Sequence, residues 1–211
     1  MTSRDKVLHA VRSALGRHGG PPPPPPPPLI RIPEVPVDRR IRQFCEALQN
    51  LNGKTFVAPS REEACRHVSE ILAGGEAIAS NSPFLAECGI TRLAGVHSGV
   101  TGRLELRELC ARLPAGITSA DYALADTGSL VLLSSRDEAR MVSLLPPVHV
   151  AVVPVNRLLS GLDELLTLLP LPSGKTSSMV VITGPSRTAD IEQILVRGVH
   201  GPGQIHVLLV E

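Results

Sequence analysis

Hydrophobic positions along residues 38–211 follow two periods in turn, and each period predicts an element. Over 38–51, Ile41, Phe44, Cys45, Leu48 and Leu51 share one stripe, which predicts a helix halted by Gly53. The run 54–58 (KTFVA) reads as a strand, and Ser60-Arg-Glu-Glu63 has the spacing of a capping box opening a helix to about Ala73. A second strand is expected at 76–80, a helix start at Ser82-Pro83 and a further helix over 103–113. The short runs 130–133, 148–153, 179–183 and 205–210 are nearly all apolar, as strands buried on both faces should be. Helical patterns at 158–169 and 189–196 separate the last three of them. Alternation of this kind predicts an α/β domain over 38–211, with a mainly parallel sheet flanked by helices on both faces.

Residues 1–36 are organised differently. Val7, Leu8, Val11, Ala14 and Leu15 lie on one face of a predicted helix that ends at Gly16. Prolines at 21–28 follow; such a run adopts polyproline II at about 3.1 Å per residue, a stiff spacer of roughly 25 Å. This N-terminal helix and proline-rich linker have two readings: a linker carrying a frayed helix, or a docking arm for a partner or a second copy of the chain. Charged residues interrupt every candidate apolar core of a secretory signal, and the most apolar stretch, 143–155, holds three prolines. A cytoplasmic protein without membrane insertion is expected.

With no Trp, one Tyr and three Phe, the core must be aliphatic, and the exposed aromatic faces that stack on bases are scarce. The net charge of +1 comes from interspersed basic and acidic residues, so no nucleic-acid partner is expected. Cys45, Cys65, Cys88 and Cys110 form no C-x-x-C pair, and no His-rich cluster accompanies them. Reduced, mostly buried thiols are the better reading, and the chain lacks a ligand set for an iron–sulfur cluster.

Three polar segments are candidate chemistry, on the rule that ligands gather at the carboxyl ends of parallel strands. In the first, Gly184, Ser186, Arg187 and Thr188 leave the strand MVVIT: the glycine allows close approach, the hydroxyls are possible N-caps, and the arginine is a fixed cation. The expected helix start behind them is either an anion site or is capped by its own Asp190 and Glu192. The second is Asp126, Thr127 and Gly128, a turn between extended segments 122–125 and 130–133, with Asp126 available as base or nucleophile, or serving as a plain Asx turn. The third, Ser134 and Ser135 before Arg136, could meet a carboxylate or phosphate, or be a solvated loop. His149 and His206 lie within apolar strands and read as hydrogen-bonded core histidines; His200 sits on a loop expected at the opposite edge.

These same strings, TSADYALADTGSLVLLSS, SLLPPVHVAVVP, ITGPSRTADIE and GVHGPGQIHVLLVE, resemble the lactate-utilisation protein C family, the minimal LUD domain. That family usually carries Glu-Thr-Gly-Thr where this chain has Asp126-Thr127-Gly128-Ser129, which shortens the carboxylate's reach. The resemblance implies a fold similar to the NagB/RpiA/CoA-transferase-like group. It also implies a part in oxidising L-lactate to pyruvate beside iron–sulfur partner subunits, with no cofactor in this chain. It carries no catalytic residue with it. A non-redox accessory subunit binding a small anion is therefore the leading expectation; a stand-alone enzyme on a sugar phosphate, CoA ester or folate-like acid, and an assembly scaffold, are the alternatives.

Overall fold

A computed structural model describes residues 2–16, 34–188, 196–198 and 200–211. The proline tract at 21–28, and residues 189–195 of the predicted helix, lie outside them. The elements run α1 (Ser3–Ala14), α2 (Val37–Asn50), β1 (Lys54–Ala58), α3 (Arg61–Leu72), β2 (Ala77–Ala79), α4 (Pro83–Glu87), β3 (Val96–His97), α5 (Arg103–Arg112) and β4 (Ala115–Ser119). They continue as β5 (Tyr122–Leu124), β6 (Ser129–Leu133), α6 (Arg140–Leu144), β7 (Val148–Pro154), β8 (Leu158–Leu159), α7 (Leu162–Leu168), β9 (Met179–Ile182), β10 (Arg187–Thr188), β11 (Val196–Arg197) and β12 (Gln204–Val210).

The main sheet has six strands in the order β1-β12-β7-β4-β2-β3, and every pair in it is parallel. Alternate residues of each strand serve opposite faces. Val150 and Val152 of β7, with Leu208 and Val210 of β12, pack with Ala64 and Val68 of α3 and Leu85 of α4. Their neighbours Ala151, Val153, Val207 and Leu209 turn to the other face, where Phe44 and Leu48 of α2 are fully buried. On the β2–β4 side, Ile78 joins Leu106 and Cys110 of α5 and Val142 of α6.

Strands form at 130–133 and 179–182 as expected, the first mostly buried but the second only partly, with Val181 exposed, and both stand outside the parallel sheet. They form a second sheet, β8-β5-β6-β9, in which β5–β6 and β6–β9 are antiparallel and β5–β8 is parallel. One face of it contributes Ala123, Leu130, Leu132 and Leu158 to the α2 core, and the other packs Leu124, Val131 and Leu159 against Leu165 of α7. The helix predicted over 158–169 is thus a strand followed by a shorter helix: Leu158 and Leu159 pair beside Ala123 and Leu124, and helix begins only after Gly161. The central strand β4 has no counterpart among the predicted elements. Helix α1 carries a full capping box at Thr2 and Asp5, buries no residue, and leaves Val7, Val11 and Leu15 at least half exposed.

Candidate functional site

The hairpin between β5 and β6 turns over residues 125–128, with Asp126 and Thr127 exposed. The Asp126 amide donates to the Ser160 carbonyl at 3.1 Å, and its Oδ1 accepts from the Thr127 hydroxyl at 3.2 Å. Ser129 Oγ donates to Thr127 Oγ1 and lies 2.8 Å from Thr183 Oγ1. The turn is therefore stitched to the end of β9, where the Gly184 segment begins. Both segments rest on the C-terminus of α2. Gly128 has φ +64°, and a Cβ there would come within 2.5 Å of the Leu48 amide nitrogen. Gly184, at φ +79°, would put a Cβ 2.9 Å from that of Leu51. Arg187 donates from its guanidinium to the Leu51 carbonyl, so this cation caps the negative end of α2.

Ser186 is held on both sides by backbone bonds, donating to the Pro202 carbonyl at 2.9 Å and accepting from the Gly198 amide at 3.1 Å. Arg187 and Thr188 are extended and pair antiparallel with Val196 and Arg197. The turn after β9 thus leads into a short strand at Arg187 and Thr188 and not directly into a helix, and Val196, the last residue of the predicted helix, belongs to a strand; residues 189–195, where the helix start was expected, lie outside the described residues. The Gly184–Arg187 turn and the His200-Gly201-Pro202 loop, expected at opposite edges, line one cleft of about 330 Å³ together with His149. His149 is fully buried, bonds through Nε2 to Thr118 Oγ1 at 2.8 Å, and has no partner at Nδ1 among the described residues. Burial drives its pKa down to about 4, so it is neutral. Since His149 and Ile205 stand near the starts of β7 and β12, this cleft lies at the amino ends of the parallel strands. The carboxyl-edge rule fails for the segment because β9, which delivers it, belongs to the other sheet.

Ser134 and Ser135 are not brought to this place. The antiparallel register pairs Leu130 with Ile182 and Leu133 with Met179, so Ser134 leaves the far end of β6, donating to the Ser178 carbonyl at 2.9 Å. Strand rise separates it from Ser129 by roughly 15 Å. The edge expected to unite Asp126, Ser134 and Ser135 with Arg187 is split by that geometry. Ser135 instead shapes the next turn. Its Oγ accepts from the amides of Asp137 and Glu138 at 3.1 and 3.0 Å, which directs Glu138 inward.

Glu138 reaches the carboxyl ends of β2 and β4. Its Oε1 accepts from Ser80 Oγ at 2.8 Å and from both the amide and the hydroxyl of Ser119 at 2.9 Å. Its Oε2 is buried with no partner among the described residues. Burial, opposed by these hydrogen bonds and reinforced by the charge of Asp121, raises its pKa to about 7. Ser82 Oγ lies 2.8 Å from Ser119 Oγ. Beside this cluster opens a cleft of about 340 Å³ lined by Arg61, Phe84, Ser119, Asp121, Asn156 and Arg157 among others. Its walls come from the segments that follow β1, β4 and β7, and from α4 beyond β2, as expected where parallel strands end. Asp121 Oδ2 accepts from the Leu133 amide at 2.7 Å, and burial raises its pKa. The Arg157 guanidinium lies 5.6 Å over the Tyr122 ring, and that of Arg61 lies 3.1 Å from Glu87. Sequence reasoning missed this site. The available signal was the placing of small polar residues, Ser80-Asn81-Ser82 and Ser119-Ala120-Asp121, directly after short buried strands.

All four cysteines are free, and Cys88 and Cys110 are buried, with burial raising both thiols to about 11. No three His, Cys, Asp or Glu side chains gather as a metal site among the described residues. Within the same set, no helix is long and apolar enough to cross a membrane.

A six-stranded parallel sheet flanked by helices, with a polar cleft at its carboxyl edge, defines an α/β protein. The LUD domain matches residues 41–210, and the chain belongs to that family. It is 35% identical over 159 residues to Lactate utilization protein C of Halalkalibacterium halodurans, covering 71% of this chain and 69% of that one. A protein of the same name from Geobacillus sp. (strain WCH70) is 29% identical over 99% of this chain and 95% of its own. That of Bacillus subtilis is 41% identical over 45% of this chain and 41% of its own. Among solved structures, a DUF162 family protein from Deinococcus radiodurans superposes with a TM-score of 0.66 at 17% identity, covering 84% of this chain and all of that one, which shows a shared fold.

Proposed function

We propose that this chain is a non-redox subunit of a lactate-oxidising system, holding a small carboxylate in the carboxyl-edge cleft while iron–sulfur partner subunits carry the electrons. The observation that carries the reading is the Arg157 guanidinium, which forms no salt bridge among the described residues, at a cleft also lined by Ser119, Asn156 and Arg61, the last already paired with Glu87. Guanidinium is the side chain best matched to a planar carboxylate. A 340 Å³ space suits a short acid with its water. The lactate setting rests on relatives that carry the name Lactate utilization protein C. In this reading the chain needs no cofactor of its own, and the Cys88 and Cys110 thiols, raised by burial, stay protonated at neutral pH.

The cleft is preferred over the Gly184–Arg187 segment as the carboxylate site because Arg187 is already bonded to the Leu51 carbonyl. Isothermal titration of the full chain with L-lactate tests the reading. Binding that weakens about tenfold in Arg157→Ala supports it, the loss matching one charge-assisted hydrogen bond. No binding, together with unimpaired growth on lactate of cells lacking the gene, would sink it.

A further inference from the structure

The hydrogen-bond polarity at the floor of the cleft decides which acid fits it. A serine hydroxyl has one proton to donate and two lone pairs to accept with. Ser119 commits its proton to Glu138 Oε1, at 2.9 Å. With Glu138 ionised, as it is above pH 7, that oxygen only accepts, and the Ser119 amide and Ser80 hydroxyl donate to it as well. Ser82, 2.8 Å from Ser119 Oγ, must then be the donor of that pair. The chain runs Ser82 to Ser119 to Glu138, and what Ser119 has left for the cleft it lines is one lone pair. Ser82 and Glu138 are at most 8% exposed, so solvent does not readily reverse the order.

We propose that Ser119 is a specificity-determining residue that makes the cleft select a 2-hydroxy acid over the corresponding 2-oxo acid. A ligand hydroxyl can donate to the remaining lone pair of Ser119. A 2-oxo group brings only acceptors and faces an acceptor there. An acid without oxygen at C2 leaves the lone pair unpaired but does not oppose it. The inference rests on the cleft being the carboxylate site and adds to it which oxidation state of the ligand is held. A subunit with this polarity retains the substrate of a hydroxy-acid oxidation and lets the product go.

The test is titration of the full chain with L-lactate, pyruvate and propionate as probes, using wild type, Ser119→Ala and Ser119→Thr. In wild type, L-lactate should bind about threefold to tenfold more tightly than propionate, with pyruvate no tighter than propionate. In Ser119→Ala the three should converge, while Ser119→Thr, which keeps the hydroxyl, should retain the order. Ser82→Ala, which leaves the bond to Glu138 in place, should also retain it and serves if Ser119→Ala does not fold. Pyruvate binding as tightly as L-lactate in wild type, or an order that survives in Ser119→Ala, overturns the inference while leaving the carboxylate site standing. Absence of binding by all three probes overturns both.

Discussion

At the amino edge of the parallel sheet the Gly184–Arg187 turn spends its polar groups on the protein itself, whereas at the carboxyl edge the groups around Ser119 keep capacity in hand. Arg187 bonds a helix carbonyl, Ser186 bridges two backbone groups, and Gly184 and Gly128 admit the α2 terminus. Arg157, by contrast, lies over an aromatic ring, and Glu138 retains a buried oxygen without a partner among the described residues. Most of the long, specific string at 182–188 therefore reads as architecture that clamps α2 against two sheets. Short polar triplets such as Ser80-Asn81-Ser82 supply side chains to the hydrogen-bonded cluster at the carboxyl edge. A signature string marks where a family's backbone is constrained, and the constraint need not be a ligand.

The largest effect should come from breaking the clamp. Gly128→Val adds a side chain where a Cβ already meets the α2 backbone at 2.5 Å, and forces a β-branched residue to positive φ. A loss of roughly 3 kcal/mol in denaturant unfolding is expected, with relief only if α2 shifts. The next effect probes the other edge. Glu138 has its pKa raised from 4.5 to about 7, so between those values the folded chain holds a proton that the unfolded chain has released. Folding stability from this group then falls as pH rises from 4.5 to 7, and stays low above. Glu138→Gln, a neutral isostere, should be more stable than wild type at pH 8 by about 2–3 kcal/mol, the gap closing as pH falls to 4.5. His149, lowered to about 4, works in the opposite direction between 4 and 6.5, but equally in both proteins, so the difference isolates Glu138. A gap that does not change with pH would mean that Glu138 is ionised throughout.

The layers of the fold were legible where apolar runs were long. Residues 148–153 and 205–210 are aliphatic but for His149 and His206 because β7 and β12 lie inside the sheet with both faces covered, and the pattern says so. β4 is just as central but was invisible, because Ala115-Gly116-Ile117-Thr118-Ser119 buries small and polar residues against α6 and His149. Membership of one sheet or the other was also unreadable, since β6 and β9 are as apolar as β7 and only their antiparallel pairing sets them apart. The site suffered for the same reason. Placing Gly184, Ser186 and Arg187 at a carboxyl edge required knowing which sheet their strand joined. Glu138 could not be found from its surroundings in the chain, because it follows two charged residues, Arg136 and Asp137, and only the bonds from Ser135 turn it inward.

The smallest effects are the ones that separate the two arginines. If the carboxyl edge holds the ligand, Arg157→Ala should weaken carboxylate binding about tenfold with little change in stability, since its side chain packs over Tyr122 at the surface of the cleft. Arg187→Ala should do the reverse, leaving affinity within about twofold of wild type and removing about 0.5–1 kcal/mol of stability, the worth of an exposed cation at a helix C-terminus. Raised salt should reduce the stability cost of Arg187→Ala, because the group is exposed and its attraction to the α2 terminus is screened. Titration and thermal unfolding of the two variants side by side decide the matter. Should Arg187→Ala lose affinity and keep its stability, the roles assigned to the two edges must be exchanged. His149, which lines the same cleft and whose Nδ1 has no partner among the described residues, then becomes the residue to examine next.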